Sequence, residues 1–431
     1  MSRATAIAFR CTAIAAVSFV AVGMLSLPAS ASIVDDGEWY ISGYEIPELH
    51  DQGIDGSGVT IAVFDDAINT EVPALQDASV EVMPDSLCAD SDGNLQPVDT
   101  DDLDLASHGT NNVLKISGTG KGYSGQDGIT GVAPGATVLF YGLGMPIEDP
   151  CFAPGDGAVT YVDAVVPPAI VDAVDRGARI LSFSNSLGGS PQLDEALTYA
   201  IRNQVIVLAA TPNDSTVLGS EALNLFNGVM GVGSFDRDGV AGLDSNGDPN
   251  RSTYIDVVAP GQDVALQGAD GKWNRQRIGS GTSYATPITA GNLALAMQKF
   301  PDVTGNQILQ LLLHNTDVDA PHEIYFDSTF LHGYGSVDTI NLLAGDPSLY
   351  PDTNPLLEED GIPSPAELTV AASPSPSASP TTTPPASGAT SESGSSALAG
   401  WVWPLIIVAV AFFIVVGIFV TLVIVRRNRR K

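Results

Sequence analysis

Positively charged residues are scarce in this chain. Its 431 residues include 18 Lys and Arg against 50 Asp and Glu, which gives a formal net charge of −32 at pH 7. Such a field repels phosphate backbones, so the composition excludes a nucleic-acid-binding role. Disorder of the whole chain is also excluded, because 44% of the residues are hydrophobic. Together with 44 Gly and 29 Pro, this content is typical of a globular α/β protein.

Long uncharged hydrophobic runs are lacking except near the two ends of the chain. At the N-terminus, Arg3 and Arg10 precede and enter an apolar run, and residues 29–31 are Ala-Ser-Ala. This is the pattern of a secretory signal peptide, so we expect residues 1–31 to be removed by cleavage before Ser32. The alternative is that the run stays in place as an N-terminal membrane anchor.

The second run, residues 401–425, contains no charge and is followed by basic residues within 426–431. A helix of this length is enough to cross the ~30 Å hydrocarbon core of a membrane. Because basic residues stay on the cytoplasmic side, we predict one transmembrane helix in the cell membrane with a cytoplasmic tail. The rest of the mature chain would be extracytoplasmic. The alternative, a helix buried in a soluble domain, is disfavoured by the length of the run.

The segment before the predicted membrane helix has few residues that can form a core. Between 371 and 400, all residues but two are Ala, Ser, Pro, Thr or Gly. Such a composition cannot bury enough apolar surface to fold, so we predict that residues 347–400 form a disordered stalk. The folded domain would then comprise residues 32–346 and would be tethered above the membrane.

Cysteine is rare, and the predicted signal peptide contains one of the three. The mature chain keeps Cys88 and Cys151, and in an oxidising compartment such a pair predicts a disulfide bond. The bond would close a loop of about 60 residues and stabilise the protein by ~4 kcal/mol on the chain-entropy model. Two buried free thiols are the alternative.

Short apolar runs rich in β-branched residues alternate with helical patterns across the predicted domain. They predict strands at residues 59–64, 138–141, 180–183, 205–210 and 229–234, and helices at residues 161–176, 191–203 and 284–300. This alternation indicates one α/β domain with a mostly parallel central sheet. In such folds the functional side chains gather beyond the carboxyl ends of the strands.

Four polar residues follow predicted strands or lie near the start of predicted helices. Asp65 ends the run IAVF, His108 lies in SHGTNNVLKIS, Asn213 follows VIVLAA, and Ser283 lies in a Gly-rich turn. A serine nucleophile needs a histidine base, the histidine needs a carboxylate that fixes its tautomer, and an amide can stabilise the oxyanion. Taken singly, each residue is also explained as a turn or helix-cap residue. Taken together, the four are the residue types of a catalytic serine site.

The order Asp, His, Asn, Ser and the motifs around these residues resemble the subtilisin-like serine proteases, or subtilases. The most specific match is GTSYATP at 281–287. Further similar segments are IAVFD at 61–65, SHGT at 107–110, GVAPGA at 131–136, SLGG at 186–189, DVVAPG at 256–261 and GYGSVDTINLL at 333–343. The likeness covers residues 55–346. It implies a three-layer α/β domain whose central sheet is mostly parallel.

The resemblance implies a role for each of the four residues. Ser283 would be the nucleophile, His108 the general acid and base, and Asp65 the carboxylate that orients His108. Asn213 would donate to the oxyanion together with the backbone N–H of Ser283. The reaction would be hydrolysis of a peptide bond through an acyl-enzyme, with no metal or other cofactor. The SLGG segment would pair with the substrate backbone, which makes three residues candidates for substrate binding: Ser186, Leu187 and Gly188.

The chain departs from the family pattern at three places close to these residues. The catalytic Asp is followed by Asp66 and Ala67, where the family usually has Ser or Thr and then Gly. Apolar residues after His-Gly-Thr are replaced by Asn111 and Asn112, and the Gly before the oxyanion Asn is replaced by Pro212. None of these changes removes a member of the triad, so we expect an active serine endopeptidase. The alternative is a subtilase fold with an idle site that serves as a scaffold.

The layout of signal peptide, protease domain, Pro-rich stalk and C-terminal helix is similar to that of the mycosins, the membrane-anchored subtilases of type VII secretion systems. That likeness implies protein or peptide substrates and association with a membrane secretion complex, which an idle scaffold would also stabilise. Only 33 residues separate the predicted cleavage point from Asp65, too few for a folded inhibitory pro-domain. We therefore expect residues 39–58 to pack on the domain as an N-terminal extension.

Two loops, DSDGN at 90–94 and DSNGD at 244–248, contain oxygen ligands of the kind that bind calcium. Neither carries the distal Glu of a complete calcium loop, and Asp, Asn and Gly also cluster in ordinary turns. We therefore predict turns at both places and no metal site.

Overall fold

The computed structural model describes residues 32–369, apart from 147, 148, 156, 161, 186, 215–222 and 318. The predicted signal peptide, the stalk beyond residue 369 and the predicted membrane helix at 401–425 lie outside the described residues. Within the described part, none of the helices combines the length and the apolar character that a membrane span requires.

The described residues form eleven strands. They are β1 (Thr60–Asp65), β2 (Val80–Val82), β3 (Thr119–Lys121), β4 (Asp127–Thr130), β5 (Thr137–Gly142), β6 (Ile180–Phe183), β7 (Ile206–Ala210), β8 (Met230–Phe235), β9 (Val257–Pro260), β10 (Val264–Ala269) and β11 (Lys272–Gly279). Seven of them form one sheet in the order β2-β5-β1-β6-β7-β8-β9, and its neighbouring strands run parallel. β3 with β4 and β10 with β11 form antiparallel pairs. The prediction of a mostly parallel central sheet is confirmed.

The central strands are apolar along their length because both faces of the sheet are covered. In β1, Ile61 and Val63 belong to a hydrophobic cluster on one face, whereas Ala62 and Phe64 belong to a second cluster on the other face. Successive side chains of a strand point to opposite faces. A strand that is buried on both sides therefore loses the alternation of apolar and polar residues that marks a half-exposed strand.

Helices cover both faces of this sheet. The helices are α1 (Ile33–Gly37), α2 (Trp39–Gly43), α3 (Ile46–Asp51), α4 (Leu103–Ser117), α5 (Val162–Asp175), α6 (Pro191–Arg202), α7 (Thr282–Lys299), α8 (Gly305–His314), α9 (Thr339–Ala344) and α10 (Pro365–Leu368). Residues of α4, α7 and α8 belong to the first hydrophobic cluster, and residues of α5 and α6 belong to the second. The domain therefore has three layers, with the sheet in the middle.

The predicted strands and helices are all present, and their ends differ from the prediction by at most two residues. Some of the elements that the sequence patterns missed are short or partly exposed, whereas others, such as β10 and α8, are largely buried. β2 has three residues, none of them fully buried, and half of the eight residues of β11 are exposed. Such elements bury too little apolar surface to produce a periodic signal.

The N-terminal extension packs on the domain, as predicted. Tyr40 and Ile46 are fully buried in the first hydrophobic cluster. The Tyr44 hydroxyl donates a hydrogen bond to the Val337 carbonyl at 2.6 Å, and Trp39 Nε1 donates to the Gln262 carbonyl at 3.3 Å. The extension is thereby joined to segments from the C-terminal half of the domain.

The domain extends beyond residue 346, which differs from the predicted stalk boundary. Leu356 and Leu368 are buried, and the side chains of Gln310 and Asn227 donate hydrogen bonds to the backbone carbonyls of Thr353 and Pro363 at 2.9 and 2.8 Å. Leucines at wide spacing supply enough apolar area to attach the segment 347–369, although its average composition is polar. The beginning of the predicted stalk is therefore part of the folded domain, and residues 370–400 lie outside the described residues.

The structure contains the predicted disulfide bond between Cys88 and Cys151, which are 63 positions apart in the sequence. Both cysteines are buried in the second hydrophobic cluster. Cys88 N–H donates to the Leu143 carbonyl at 3.1 Å, and Leu143 N–H donates to the Asp65 carbonyl at 2.8 Å. The disulfide therefore ties together two loops at the carboxyl edge of the central sheet.

Candidate active site

Asp65 and His108 meet at the carboxyl end of β1. Asp65 is the last residue of that strand and is fully buried, and its Oδ1 lies 2.7 Å from Nδ1 of His108. His108 lies in α4, whose first turn is capped by Asp102. Gly109 permits the close approach of helix and strand, because a Cβ atom there would lie 2.3 Å from the Ala67 carbonyl oxygen. The structure thus brings together two of the predicted triad residues.

The Asp65 carboxylate accepts hydrogen bonds at both oxygens. Oδ1 accepts from the backbone N–H of Asp66 at 2.8 Å in addition to its contact with His108. Oδ2 accepts from Nδ2 of Asn112 at 2.7 Å. Hydrogen bonds of this kind fix the orientation of the carboxylate. A carboxylate oxygen next to Nδ1 in turn favours the His108 tautomer that carries its proton on that nitrogen.

Ser283 is the second residue of α7, the innermost helix of the domain. Residues 282–297 of this helix are buried, and Ser283 itself is 9% exposed. The Ser184 hydroxyl donates to the Ser283 carbonyl at 2.8 Å, which holds the turn in place. The backbone N–H groups of the first helical turn have no intrahelical acceptor. The N–H of Ser283 is one of these groups and is positioned to donate to an anion.

Asn213 lies beside Ser283 because its side chain is attached to the start of α7. Its Oδ1 accepts hydrogen bonds from the backbone N–H of Thr282 at 2.9 Å and from the Thr282 hydroxyl at 3.3 Å. The position that a Cβ atom would take at Gly281 lies 3.1 Å from Ser283 Oγ and 3.7 Å from Asn213 Nδ2. A glycine at 281 therefore keeps open the space between the predicted nucleophile and the predicted oxyanion donor.

Pro212 does not distort the loop that carries Asn213. Its carbonyl accepts a hydrogen bond from Nδ2 of Asn250 at 2.7 Å. The preceding residue, Thr211, remains attached to the neighbouring strand β8 through a bond from its N–H to the Val232 carbonyl at 3.1 Å. The loop is held by these contacts and does not depend on an N–H at position 212.

A cavity of about 270 Å³ opens next to this loop and is lined by Ser184, residues 210–214 and Thr282. Of the residues predicted to bind substrate, Leu187 is buried and Gly188 is exposed, and neither lines this cavity. Ser186 lies outside the described residues. The sequence patterns missed Ser184, Thr282 and Asp214, although the last two directly adjoin Ser283 and Asn213 in the chain.

Behind His108, the inner face of α4 carries a row of buried polar side chains. Asn111 exchanges two hydrogen bonds with the backbone of Gln267 in β10, at 2.7 and 2.9 Å, and Nζ of Lys115 donates to the carbonyl of Ala265 at 2.5 Å. Burial lowers the pKa of Lys115 to about 8 and raises the pKa of the neighbouring Glu38 to about 7. These hydrogen bonds attach α4 to β10, and the charge interaction of Lys115 with Glu38 links α4 to the N-terminal extension.

Asp65, Asp66 and His108 are also a group with the residue types of a metal site, since one ligand atom of each lies within 4.8 Å of the others. Asp65 and His108 are already bonded to each other, an arrangement that fits proton transfer better than metal binding. The loops that begin at Asp90 and Asp244 form turns, because each carboxylate accepts backbone N–H groups from its own loop. The prediction of turns at these two places is confirmed.

Residues 56–337 match the profile of the subtilase family, which is more than half of the chain. The chain is a subtilase. The family is one of serine endopeptidases, and the chain belongs to that class of hydrolase. It is 29% identical to fervidolysin of Fervidobacterium pennivorans over 327 residues, which cover 68% of this chain but only 43% of that protein. It is 29% identical to subtilisin BL of Lederbergia lenta over 304 residues, which cover 70% of this chain and 96% of that protein.

Solved structures with the same fold include two mycosins. One is the MycP3 protease from the type VII (ESX-3) secretion system, with a TM-score of 0.51 at 24% identity, covering 74% of this subtilase and 91% of that chain. The other is MycP1 from Mycobacterium smegmatis, with a TM-score of 0.51 at 21% identity, covering 77% of this subtilase and 89% of that chain. These likenesses establish a shared fold.

Proposed function

We propose that this subtilase is a membrane-anchored, extracytoplasmic serine endopeptidase that uses Ser283, His108 and Asp65 as its catalytic triad. The observation that carries the proposal is the 2.7 Å contact between His108 Nδ1 and Asp65 Oδ1 at the carboxyl edge of a parallel sheet. Ser283 and Asn213 adjoin an open space at the same edge. Nucleophile, base, orienting carboxylate and oxyanion donor are the four parts that acyl transfer requires.

We assign a role to each group during peptide-bond cleavage. Ser283 Oγ attacks the carbonyl carbon of the scissile peptide while Nε2 of His108 takes the hydroxyl proton. Asp65 holds the imidazole through Nδ1 and stabilises the imidazolium that forms. The carbonyl oxygen becomes an oxyanion, which accepts from Nδ2 of Asn213 and from the backbone N–H of Ser283. His108 then protonates the leaving amine, and a water molecule activated by His108 hydrolyses the acyl-enzyme.

The cavity next to Asn213 supports a preference for basic side chains in the substrate. The Asp214 carboxylate belongs to its lining, and the other lining residues carry no positive charge. The chain as a whole has a formal net charge of −32, so a cationic peptide is attracted before it binds. A Lys or Arg side chain that enters the cavity would place its charge near Asp214, whereas an acidic side chain would be repelled.

The membrane anchor and the link to protein secretion rest on the sequence. The uncharged run at 401–425 followed by a basic tail supports a single C-terminal membrane helix, and residues 1–31 support export. The solved MycP3 protease belongs to a type VII secretion system. We propose the same setting for this subtilase, with exported proteins or peptides as substrates and a membrane secretion complex as partner.

The experiment that tests catalysis is labelling of the full-length protein with a fluorophosphonate, which reacts with activated serines. We expect labelling of the wild type, loss of labelling in Ser283→Ala and His108→Ala, and unchanged labelling in Ser348→Ala, a control in an exposed turn. A folded wild type that is not labelled would refute the proposal. The chain would then be an idle scaffold, and capture of its membrane partners would replace protease assays.

A further inference from the structure

Asn112 contacts both members of the proposed Asp–His pair. It lies one helical turn after His108 on α4 and is fully buried. Its Nδ2 donates to Asp65 Oδ2 at 2.7 Å and lies 3.4 Å from Nδ1 of His108. The second contact is too long to compete with the bond between Asp65 and His108. The principal contact of Asn112 is therefore with the carboxylate.

The other end of the Asn112 amide adds no hydrogen bond that would stabilise the fold within the described residues. Its Oδ1 is buried and accepts no hydrogen bond within the described residues. A buried acceptor without a partner destabilises a protein, and an apolar side chain of the same size would avoid that loss. The opposite amide orientation would place Oδ1 against the Asp65 carboxylate, which is repulsive. The benefit that offsets the unsatisfied oxygen is the hydrogen bond to Asp65.

The residue type at position 66 explains why the Asp65 carboxylate needs a hydrogen-bond donor from α4. Subtilases usually have Ser or Thr directly after the catalytic Asp, and a hydroxyl can donate a hydrogen bond. Asp66 occupies this place and carries a carboxyl group instead of the hydroxyl. The backbone N–H of Asp66 serves Oδ1 of Asp65, and Oδ2 receives its hydrogen bond from Asn112. The residues at positions 66 and 112 both differ from the family pattern, and both donate a hydrogen bond to the Asp65 carboxylate.

We propose that Asn112 is a positioning residue that orients Asp65 for its bond to His108 and supplies the side-chain donor that position 66 lacks. This inference rests on the proposed catalytic role of Asp65 and His108. Without Asn112, Oδ2 would be buried with no donor among the described residues. The carboxylate would then be free to rotate away from His108, and the imidazole would lose its fixed orientation during proton transfer.

The first test compares the full-length wild type with Asn112→Leu, in which Leu has a similar size and forms no hydrogen bond. We expect kcat for a peptide substrate to fall by about 10- to 100-fold with little change in KM. The melting temperature should fall by no more than it does in a buried-amide control, because the variant loses the unsatisfied Oδ1 together with the donor to Asp65. An unchanged kcat, or a kcat that falls only because the variant is partly unfolded at the assay temperature, would overturn the inference.

A matched control separates this effect from the loss of any buried amide. Asn315 is 3% exposed, and its Nδ2 donates to the Leu311 carbonyl at 2.7 Å at the end of α8. We expect Asn315→Leu to lower the melting temperature and to leave kcat unchanged. In the Asn112→Leu background, Asp66→Ser should restore part of kcat, since its hydroxyl can donate next to Asp65. Failure of this rescue would overturn the link between positions 66 and 112.

A second readout does not depend on turnover. Diethyl pyrocarbonate modifies unprotonated imidazole, so the pH midpoint of His108 modification, followed by peptide mass spectrometry, reports proton binding by that ring. Loss of the Asn112 donor lets the Asp65 carboxylate turn away from Nδ1 of His108 and stabilise the imidazolium less, so we expect a lower midpoint in Asn112→Leu. An unchanged midpoint would overturn the inference. Absence of fluorophosphonate labelling in the wild type would refute the catalytic proposal, and the midpoint would still decide the role of Asn112.

Discussion

Replacement of Glu38 by Gln should change how the stability of this subtilase depends on pH. Glu38 lies between α1 and α2, is 9% exposed, and accepts a hydrogen bond from the backbone N–H of Thr130. Burial raises its pKa to about 7 from a reference value of 4.5, and the charge of Lys115 opposes the rise only in part. The folded protein therefore binds a proton at Glu38 more tightly than the unfolded chain does.

The shift corresponds to roughly 3 kcal/mol between the protonated and ionised forms of the folded protein. The contribution of Glu38 to stability is complete below its unfolded pKa and is lost as the pH rises through about 7. Glu38→Gln keeps an acceptor for Thr130 and carries no charge at any pH. We therefore expect wild type and variant to have similar melting temperatures at pH 5, and the wild type to melt about 5 °C lower at pH 8.

Differential scanning calorimetry of both proteins across this range measures the effect, and the difference between them removes the contribution of other titrating groups. The reasoning is refuted if the difference in melting temperature is the same at pH 5 and pH 8. Lys115→Met provides a second check on the same pair. Loss of the Lys115 charge should raise the pKa of Glu38 further, so the decline in melting temperature of the Lys115→Met protein should extend to higher pH than that of the wild type.

Three further predictions concern the site and the fold. Asn213→Ala should lower kcat by about 10²- to 10³-fold with a smaller change in KM, since the lost donor acts on the oxyanion; equal loss of ground-state binding would contradict this role. Asp214→Asn should reduce the ratio of kcat/KM for Lys over Leu substrates by roughly 5- to 10-fold, and an unchanged ratio would exclude a contact with the basic side chain. Joint replacement of Cys88 and Cys151 by Ala should lower the free energy of unfolding by ~4 kcal/mol, measured with denaturant, because the bond closes a long loop.

The sequence was sufficient to predict the central part of the fold. β1 and β6 are mostly apolar and almost entirely buried because helices cover both of their faces, and such runs stand out from the surrounding polar segments. The four candidate site residues were also recognisable, since each occurs within a specific motif, and all but His108, which lies in the second turn of α4, adjoin a strand end or a helix start. Sequence patterns were sufficient for prediction where a single segment contained both a secondary-structure signal and a candidate functional residue.

Features that depend on contacts between distant segments were not predictable in this way. The sequence shows Asn112 only as a polar residue where the family has an apolar one. Its proposed role follows from a contact with Asp65, 47 positions earlier. The segment 347–369 has a polar average composition, and composition does not show that Leu356 and Leu368 are the residues that attach it. In both cases the decisive information is which surface the side chain meets after folding.

The attachment of the N-terminal extension also joins segments that are made at very different times during synthesis. Trp39 donates a hydrogen bond to Gln262, 223 positions later. Lys115 on α4 donates a hydrogen bond to Ala265, 150 positions later. At typical rates of 5–20 residues per second, roughly 10–45 s pass between the synthesis of Trp39 and that of its partner. Helix α4, which carries His108, therefore lacks its contact with β10 until most of the domain has been made. The fold itself imposes a delay between the start of translation and the first possible cleavage.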